Sequence, residues 1–414
     1  MNRKQLSLIL VAVVVLGGLG LWVRSRNAAS YRTTQGAMGR KVLGDDFDLN
    51  NVTQILIRHG TNELNLVQRD EVWTVKERSG YAAAFSEVSD FLRKLWELKT
   101  IQVPPGAAAQ FARLELTTSG DKPGTLVDLK DKNGQTIRAV ILGKTHRRQP
   151  ATPSPYGGEE GFPDGRYVMV SGKPESISIV SETFSNVEPK PEQWLNKDFF
   201  KVEKVKSVAV SYPVETNSWK LQRDTESAEL KLVDARPEEK LDAGKVSGVP
   251  NALSWPSFND VVVEAKTEMT GLDKPTVAKL ETFDGFNYTV KVGNKHGDDA
   301  YYVSVAVSAD YPRERTPGKD EKPEDKEKHD KEFKEKTEKL NEKLKQEKAL
   351  DKWVFLMSKW SLDSLLKERH TLMAEKKEEP KPATTSTNTP PALVSPVDAT
   401  VPPVPPHPPA KPNS

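Results

Sequence analysis

Leu142-Gly143-Lys144-Thr145 carries the Gly-Lys-Thr that closes a phosphate-binding loop. Such a loop cradles phosphate oxygens with successive backbone N–H groups, so it needs an earlier glycine, separated from the Gly-Lys pair by four residues, and a helix directly after it. The stretch ahead is Thr136-Ile137-Arg138-Ala139-Val140, without glycine, and no helix pattern follows. The phosphate-loop reading is therefore rejected. Six histidines, His59, His146, His296, His329, His370 and His407, are scattered, and none falls in a metal-ligand spacing. The nearest approach to a ligand set is His296 with Asp298 and Asp299, which a polar loop between two strands explains as well. No Gly-x-Ser-x-Gly elbow and no Ser-His-Asp arrangement is recognisable. The charges of Arg69 and Asp70 read as a surface turn. Trp73, Trp96, Trp255 and Trp353 invite a ligand-box reading, but core packing against sheets is the expectation adopted for them. No catalytic, cofactor-binding or metal residue is assigned, no cofactor is implied, and the chain is read as not an enzyme. A hydrolase with a site assembled between two units is the rival from that class.

Composition narrows the function further. Lys and Arg number 61 against 59 Asp and Glu, a net charge of +2, with the two signs interspersed. Nucleic-acid binding needs a basic stripe, so that class is set aside. There is no cysteine, which removes disulfides, thiolate metal sites and a lipid-modified N-terminal cysteine.

Residues 6–23, LSLILVAVVVLGGLGLWV, are apolar throughout. At about 1.5 Å per residue they reach most of the way across a hydrocarbon core of about 30 Å. The run exceeds the h-region of a cleaved signal, and Arg24 and Arg26 stand where a small-residue cleavage site belongs, so an uncleaved anchor over residues 1–26 is expected. Counting charges alone gives the opposite orientation, because Arg3 and Lys4 precede the span while Arg24, Arg26, Arg32, Arg40 and Lys41 follow it. Large domains translocate largely regardless of flanking charge, and a short basic tail before an apolar run is the ordinary signal-anchor arrangement. The body is accordingly placed outside the cytoplasm.

Elements that would position any site repeat along the chain. LGDDF at 43–47 returns as LNKDF at 195–199, an interval of 152 (43 to 195). VTQILI at 52–57 returns as VKSVAV at 205–210, interval 153, and Gln68-Arg69-Asp70 returns at 222–224, interval 154. DKP at 121–123 returns at 273–275, the segment ending at Gly143 resembles the one ending at Gly293, and RYVMV at 166–170 resembles YYVSV at 301–305. Matches in one order with a drifting interval indicate duplication followed by loop insertion.

The expected fold is α+β: tandem units at 43–188 and 195–374, each an antiparallel sheet with one main helix, after a single N-terminal transmembrane helix. Alternating runs predict strands over 52–58, 63–68 and 72–76, split by His59-Gly60-Thr61-Asn62 and Arg69-Asp70. Ser86 is the predicted cap of a helix carrying Val88, Phe91, Leu92, Leu95, Trp96 and Leu98 at helical spacing. Its counterpart, with Val249, Leu253, Trp255 and Phe258, is expected to be short or broken by Pro250 and Pro256. Where the first copy closes with SGKPES before the strand ISIV at 177–180, the second inserts a Lys- and Glu-rich helical arm over 313–350 before WVFLM at 353–357. Charges in the arm recur at i, i+4, while Phe333, Leu340 and Leu344 make a seam too thin for a core. The arm reads as a solvated helix that core folding does not need, or as a reach to a partner through a coiled-coil seam. Ser361 is the expected cap of a last helix with Leu362, Leu365, Leu366 and Met373 facing the core. From 375 to 414 the chain is Pro-rich and polar, a composition that cannot bury enough apolar surface to order itself.

With its anchor, its duplication and the closing WVFLMSKWSLDSLLKER, the chain resembles over residues 43–370 an uncharacterised bacterial family of membrane-anchored α+β repeat domains. The markers are VTQILI followed by LNLVQRDEVWTV, GLDKP at 271–275 with VKVG at 290–293, and the ending from Trp353 to Arg369. The first copy departs from it with SGDKP where GLDKP is expected. Members of that family are often encoded beside gliding-motility-type ABC transporters, and they offer no catalytic residues to carry over. The resemblance implies a non-enzymatic accessory or binding protein of the bacterial inner membrane, partnered by ABC transporter subunits. A passive cell-envelope scaffold is the alternative.

Overall fold

A computed structural model of the chain describes residues 38–148, 161–317 and 321–375. The expected anchor at 6–23 and the Pro-rich tail from 376 onward lie outside the described residues. Among the described residues no helix is long and apolar enough to cross a membrane.

Alternating apolar residues produce the first sheet. Its strands are β1 (Gln54–His59), β2 (Asn62–Arg69), β3 (Val72–Val75) and β4 (Tyr81–Ala82), followed by helix α1 (Phe85–Glu97). Then come β5 (Thr125–Lys130), β6 (Thr136–Arg148), β7 (Phe162–Val170) and β8 (Ser178–Val180). All pairings are antiparallel, in the order β4-β3-β2-β1-β5-β6-β7-β8. The β2–β3 turn puts Asp70 and Glu71 at φ of 48° and 65°, so Arg69 and Asp70 do lie in a tight surface turn. Helix α1 is capped by Ala84, two residues before the predicted Ser86 cap, and Val88, Phe91, Leu92 and Leu95 supply its buried face.

The second sheet is built from β9 (Val205–Ser211), β10 (Trp219–Gln222) and β11 (Lys231–Leu232). After them come the four-residue helix α2 (Ala243–Val246), β12 (Phe258–Val261) and helix α3 (Thr267–Thr270). The chain continues through β13 (Thr276–Thr282), β14 (Phe286–His296), β15 (Ala300–Ala309), helix α4 (Pro323–Lys348), β16 (Val354–Ser358) and helix α5 (Lys359–Leu362). Its order is β11-β10-β9-β13-β14-β15-β16-β12. Seven strands of the two sheets thus follow one another in the same way, β3-β2-β1-β5-β6-β7-β8 against β11-β10-β9-β13-β14-β15-β16. They differ at the edges: β4 extends the first sheet beyond β3, whereas β12 closes the far side of the second on β16. In the first sheet the place of β12 is held by one bridge, Gln102 to Ile179.

Register makes the correspondence quantitative. Ile57 faces Val127 and Leu64, and Val210 faces Ala278 and Trp219, which equates Ile57 with Val210 at the interval of 153 (57 to 210). Gly143 and Gly293 occupy one site on β6 and β14. A Cβ there would lie 2.4 Å from the Leu114 carbonyl oxygen in one sheet and 2.0 Å from that of Thr270 in the other. Backbone crosses each strand at this point, and only glycine lets it approach so closely. The Gln-Arg-Asp strings, in contrast, are out of step. Gln68 N–H donates to the Thr53 carbonyl and Arg223 N–H to that of Lys206, so Gln68 stands where Arg223 stands, one residue off the string match. The longer β9–β10 loop shifts the strand that follows it.

The main helix of the second unit is broken as expected, into α2 and a three-residue 3-10 turn, Val249–Asn251, with Pro250 inside it. Three expectations are corrected. Phe258 sits on strand β12 rather than on that helix. The predicted last helix breaks likewise into α5, capped by Ser358 rather than Ser361, and the 3-10 turn Arg369–Leu372. The arm does not stand clear of the body: Leu340 and Leu344 on α4 pack against the main core, and Glu347 and Leu350 are buried. One apolar core runs through both sheets, and a smaller one of Leu116, Leu126, Ile141, Met169 and Ile177 lies under the 103–118 loop.

Candidate functional site: an aromatic groove where the sheets meet

The first sheet's outer strand β4 and the segment 194–201 bring the two sheets together. Ala84 N–H donates to the Trp194 carbonyl and Asn196 N–H to that of Ala82, so the linking segment pairs with β4 and leaves it no free edge. Tyr81 of β4 then packs edge-on against Phe258 (5.9 Å), Trp353 (5.1 Å) and Phe355 (6.1 Å) of the second sheet. Phe199 joins the cluster at 4.6 to 5.0 Å from Phe200, Phe258 and Phe355. Edge-to-face rings at these spacings gain about 0.5–1.5 kcal/mol each beyond burial, so the junction is held by more than contact area.

Two hollows open over this cluster, of about 970 and 730 Å³, sharing Val72, Ala82, Asn196, Lys197 and Asp198. Large apolar side chains are exposed along them: Trp255 at 77%, Phe85 at 67% and Val72 at 51%. The Lys201 ammonium sits 4.3 Å above the Trp255 ring, and Lys343, Lys352 and Lys197 line the same hollow. Lys197 donates to the carbonyls of Phe258 and Asn259, and burial holds its pKa below the ordinary lysine value. Burial, and secondly the Asp198 carboxylate, raises the Tyr81 phenol. At the far wall Glu347 is buried, accepting from Lys201 N–H at 2.9 Å and Tyr288 Oη at 2.8 Å, with Lys343 Nζ 3.8 Å away. Loss of hydration raises its pKa against the opposing pull of those donors. Carboxylates line the hollows as well, Asp198, Glu203 and Glu347 in the larger and Glu71, Glu87 and Asp198 in the smaller, so the exposed rings in an open trough suit an apolar segment with polar edges.

Of the residues singled out in sequence, Trp255 and Trp353 line the larger hollow and Trp73 the smaller, whereas the phosphate-loop candidates and the described histidines lie elsewhere. Leu142, Gly143, Lys144 and Thr145 lie inside strand β6, which rules out a phosphate loop by geometry. His296 Nδ1 pairs with Tyr302 Oη at 2.7 Å, and among the described residues no group of three His, Asp or Glu side chains is placed to hold a metal. His146 pairs with Asp164, His329 with Glu321, His370 with Glu368, and His59 with the Thr125 hydroxyl. His407 lies outside the described residues. Of the four tryptophans, Trp73 is buried and Trp353 partly so, but Trp96 is 38% exposed and Trp255 stands in solvent. The core expectation fails for those two because Trp255 lies between the broken second helix and Pro256, where no element covers it. The groove's other members, Tyr81, Lys197, Lys201 and Glu347, escaped the sequence reading. The available signal was LNKDF, the repeat marker that contains Lys197 and Phe199.

No curated protein and no solved structure matches the chain. Residues 73–275, a stretch that takes in Tyr81, the 194–201 segment and Trp255 but not Val72, Lys343, Glu347 or Trp353 of the groove, match the family described as a domain of unknown function, DUF4340, and it is to this family that this part of the chain is similar.

Proposed function

We propose that this chain is a non-enzymatic binding protein, held by residues 6–23 in a bacterial inner membrane with its body outside the cytoplasm, and that it serves an ABC-type transport complex as an accessory subunit. The groove is the observation that supports this reading. Exposed Trp255, Phe85 and Val72 along one trough, bordered by lysines, form the kind of apolar surface that marks a protein contact. The shared strand order and the two matched glycines support a duplicated origin of the two sheets. Duplication accounts for a site at the junction, where each copy supplies one wall.

The test is photo-crosslinking in native membranes, with a crosslinkable residue at Phe85 or Val72 of the full chain, followed by affinity purification. Recovery of transport subunits, and their loss on Trp255→Ala, is the expected result. If no transport component is recovered from either position, the accessory role is abandoned for the envelope scaffold, in which the 375–414 tail carries the function.

A further inference from the structure

We infer that the face at which the chain enters its folded body rests on the anionic headgroups of the bilayer that holds residues 6–23; this depends on the anchor reading proposed above. Residues 39–42 pair antiparallel with 98–100: Val42 N–H donates to Leu98, Thr100 N–H to Arg40 and Gly39 N–H to Thr100, and Lys41 stands opposite Lys99. Opposed residues share a face of such a ladder, so two lysines are set on one face, an arrangement that is unfavourable without counter-charge. Among the described residues no carboxylate forms an ion pair with Arg40, Lys41 or Lys99, and the nearby Glu97 is paired with Arg93.

The same face is apolar as well as basic. The Lys41 ammonium lies 3.6 Å above the Trp96 ring, and that ring is 38% exposed. Ile101, at the bend two residues beyond Lys99, is 46% exposed. Tryptophan at headgroup depth, with lysines beside it and an aliphatic side chain reaching inward, is the composition that favours a bilayer interface. The tether brings that face to the lipid. Between the apolar run ending at Val23 and Met38 lie residues 24–37, which span at most about 50 Å when fully extended. Met38 is itself 53% exposed. The unpaired cations thus lie at the point of the body nearest the membrane along the chain, where tethering raises their effective concentration at its surface.

The absence of cysteine makes the test direct, because single cysteines label uniquely. Ile101→Cys and, as a reference on helix α5, Trp360→Cys are introduced separately into the full chain and labelled with an environment-sensitive fluorophore. Each is reconstituted in phosphatidylcholine vesicles containing phosphatidylglycerol and a headgroup spin-label quencher. Quenching at Ile101 is expected to exceed that at Trp360 by about twofold or more, and the difference to shrink with Lys41→Glu and Lys99→Glu or without phosphatidylglycerol. Equal quenching at the two positions, in vesicles with which the chain co-floats, overturns the membrane-facing surface alone. Failure to co-float overturns the anchor first and this inference with it.

Discussion

The Arg78 guanidinium holds the Asp260 carboxylate through Nε and Nη2, both at 2.7 Å, and so ties the turn after β3 in the first sheet to the edge strand β12 of the second. The hydrogen bond to Asp260, ahead of any other cause, raises the Arg78 pKa. Both side chains are about four-fifths covered, at 19% and 22% exposure, so the pair is screened less than a surface bridge. Arg78→Ala and Asp260→Asn are each expected to destabilise, and the double variant to cost less than their sum by about 1–3 kcal/mol. Urea unfolding of the four proteins measures that coupling; additive single effects would show the pair to be incidental to the junction.

Gly143→Ala and Gly293→Ala should behave alike although 150 residues separate them (143 to 293). In each a methyl group meets a fixed backbone carbonyl, at 2.4 and 2.0 Å, and the strand must move aside at a cost of about 1–3 kcal/mol or more. Gly134→Ala is the control, since nothing lies within 4 Å of its added carbon and only the left-handed φ of 76° opposes it. Thermal melts that rank the control as the most damaging would break the proposed equivalence of the two strands.

Those glycines also show what the sequence reveals and what it hides. A close backbone crossing forbids every side chain, so the same residue stands at both copies, 22 residues after the Asp of DKP in the first (121 to 143) and 20 after it in the second (273 to 293). Strand alternation was legible for a like reason, as burial of one face enforces period two along β1 and β9. The broken helices were less so: Pro250 gave notice of one, but the apolar spacing of Leu362, Leu365 and Leu366 suits a helix and is used by turns instead. The groove was hidden because its walls come from Tyr81, Lys197, Trp255 and Glu347, whose meeting depends on how two sheets pack rather than on any local spacing. Trp255 had the composition of a core residue and lacked only a neighbour to cover it.

Acid should loosen one clamp at the end of the fold. Arg369 donates from Nε and Nη2 to Glu239, at 2.9 and 2.7 Å, and from Nη1 to Asp234. The Arg369 bond, followed by the Arg236 backbone N–H, lowers the Glu239 carboxyl from 4.5 to about 2. With the folded pKa below the unfolded one, this stability is present above about pH 4.5 and is lost as pH falls toward 2. Glu239→Gln should therefore lower the melting temperature at pH 7 and flatten its fall between pH 4.5 and 2. A parent and variant with parallel melting curves across that window would remove Glu239 from the acid response.

Glu347 should act in the opposite sense. Burial raises its pKa above 4.5, so the folded state holds the proton more tightly than the unfolded chain, and the associated stability is lost as pH rises through the folded pKa. Glu347→Gln carries no charge, keeps an acceptor for Lys201 N–H, and is expected to be as stable as the parent or more so at pH 7. Glu347→Ala leaves Lys201 N–H without its acceptor and Tyr288 Oη with the Lys201 carbonyl alone, 3.1 Å away, and should cost about 1–3 kcal/mol. Denaturant midpoints at pH 5 and pH 8 separate the two; a glutamine variant weaker than the parent at pH 8 would mean that the carboxylate is favourable as an ion.

The arm, finally, divides into a part that folding needs and a part that it does not. Its far portion is mainly exposed, is folded on itself by Arg315, which reaches Glu321 at 2.6 and 2.9 Å and Asp330 at 2.6 Å, and by His329 on Glu321, and meets the body through Lys336, 3.7 Å from Asp284. Its near portion carries Leu340 and Leu344 against the core and ends in buried Glu347 and Leu350. Removing 321–336 and closing the chain with a short flexible linker takes away mainly exposed charge, so stability should change little. Replacing 313–350 with Ser-Gly-Lys-Pro, the turn that closes the first sheet at the same place, uncovers the core at both leucines and removes one of the two acceptors of Tyr288. The cost should then reach at least about 4 kcal/mol, a large share of the 5–15 kcal/mol that holds a typical domain together. Unfolding midpoints of the two deletions decide the matter. Equal stability would show that the second sheet closes over its own edge without α4, and a collapse of both would extend the structural role to the charged end of the helix.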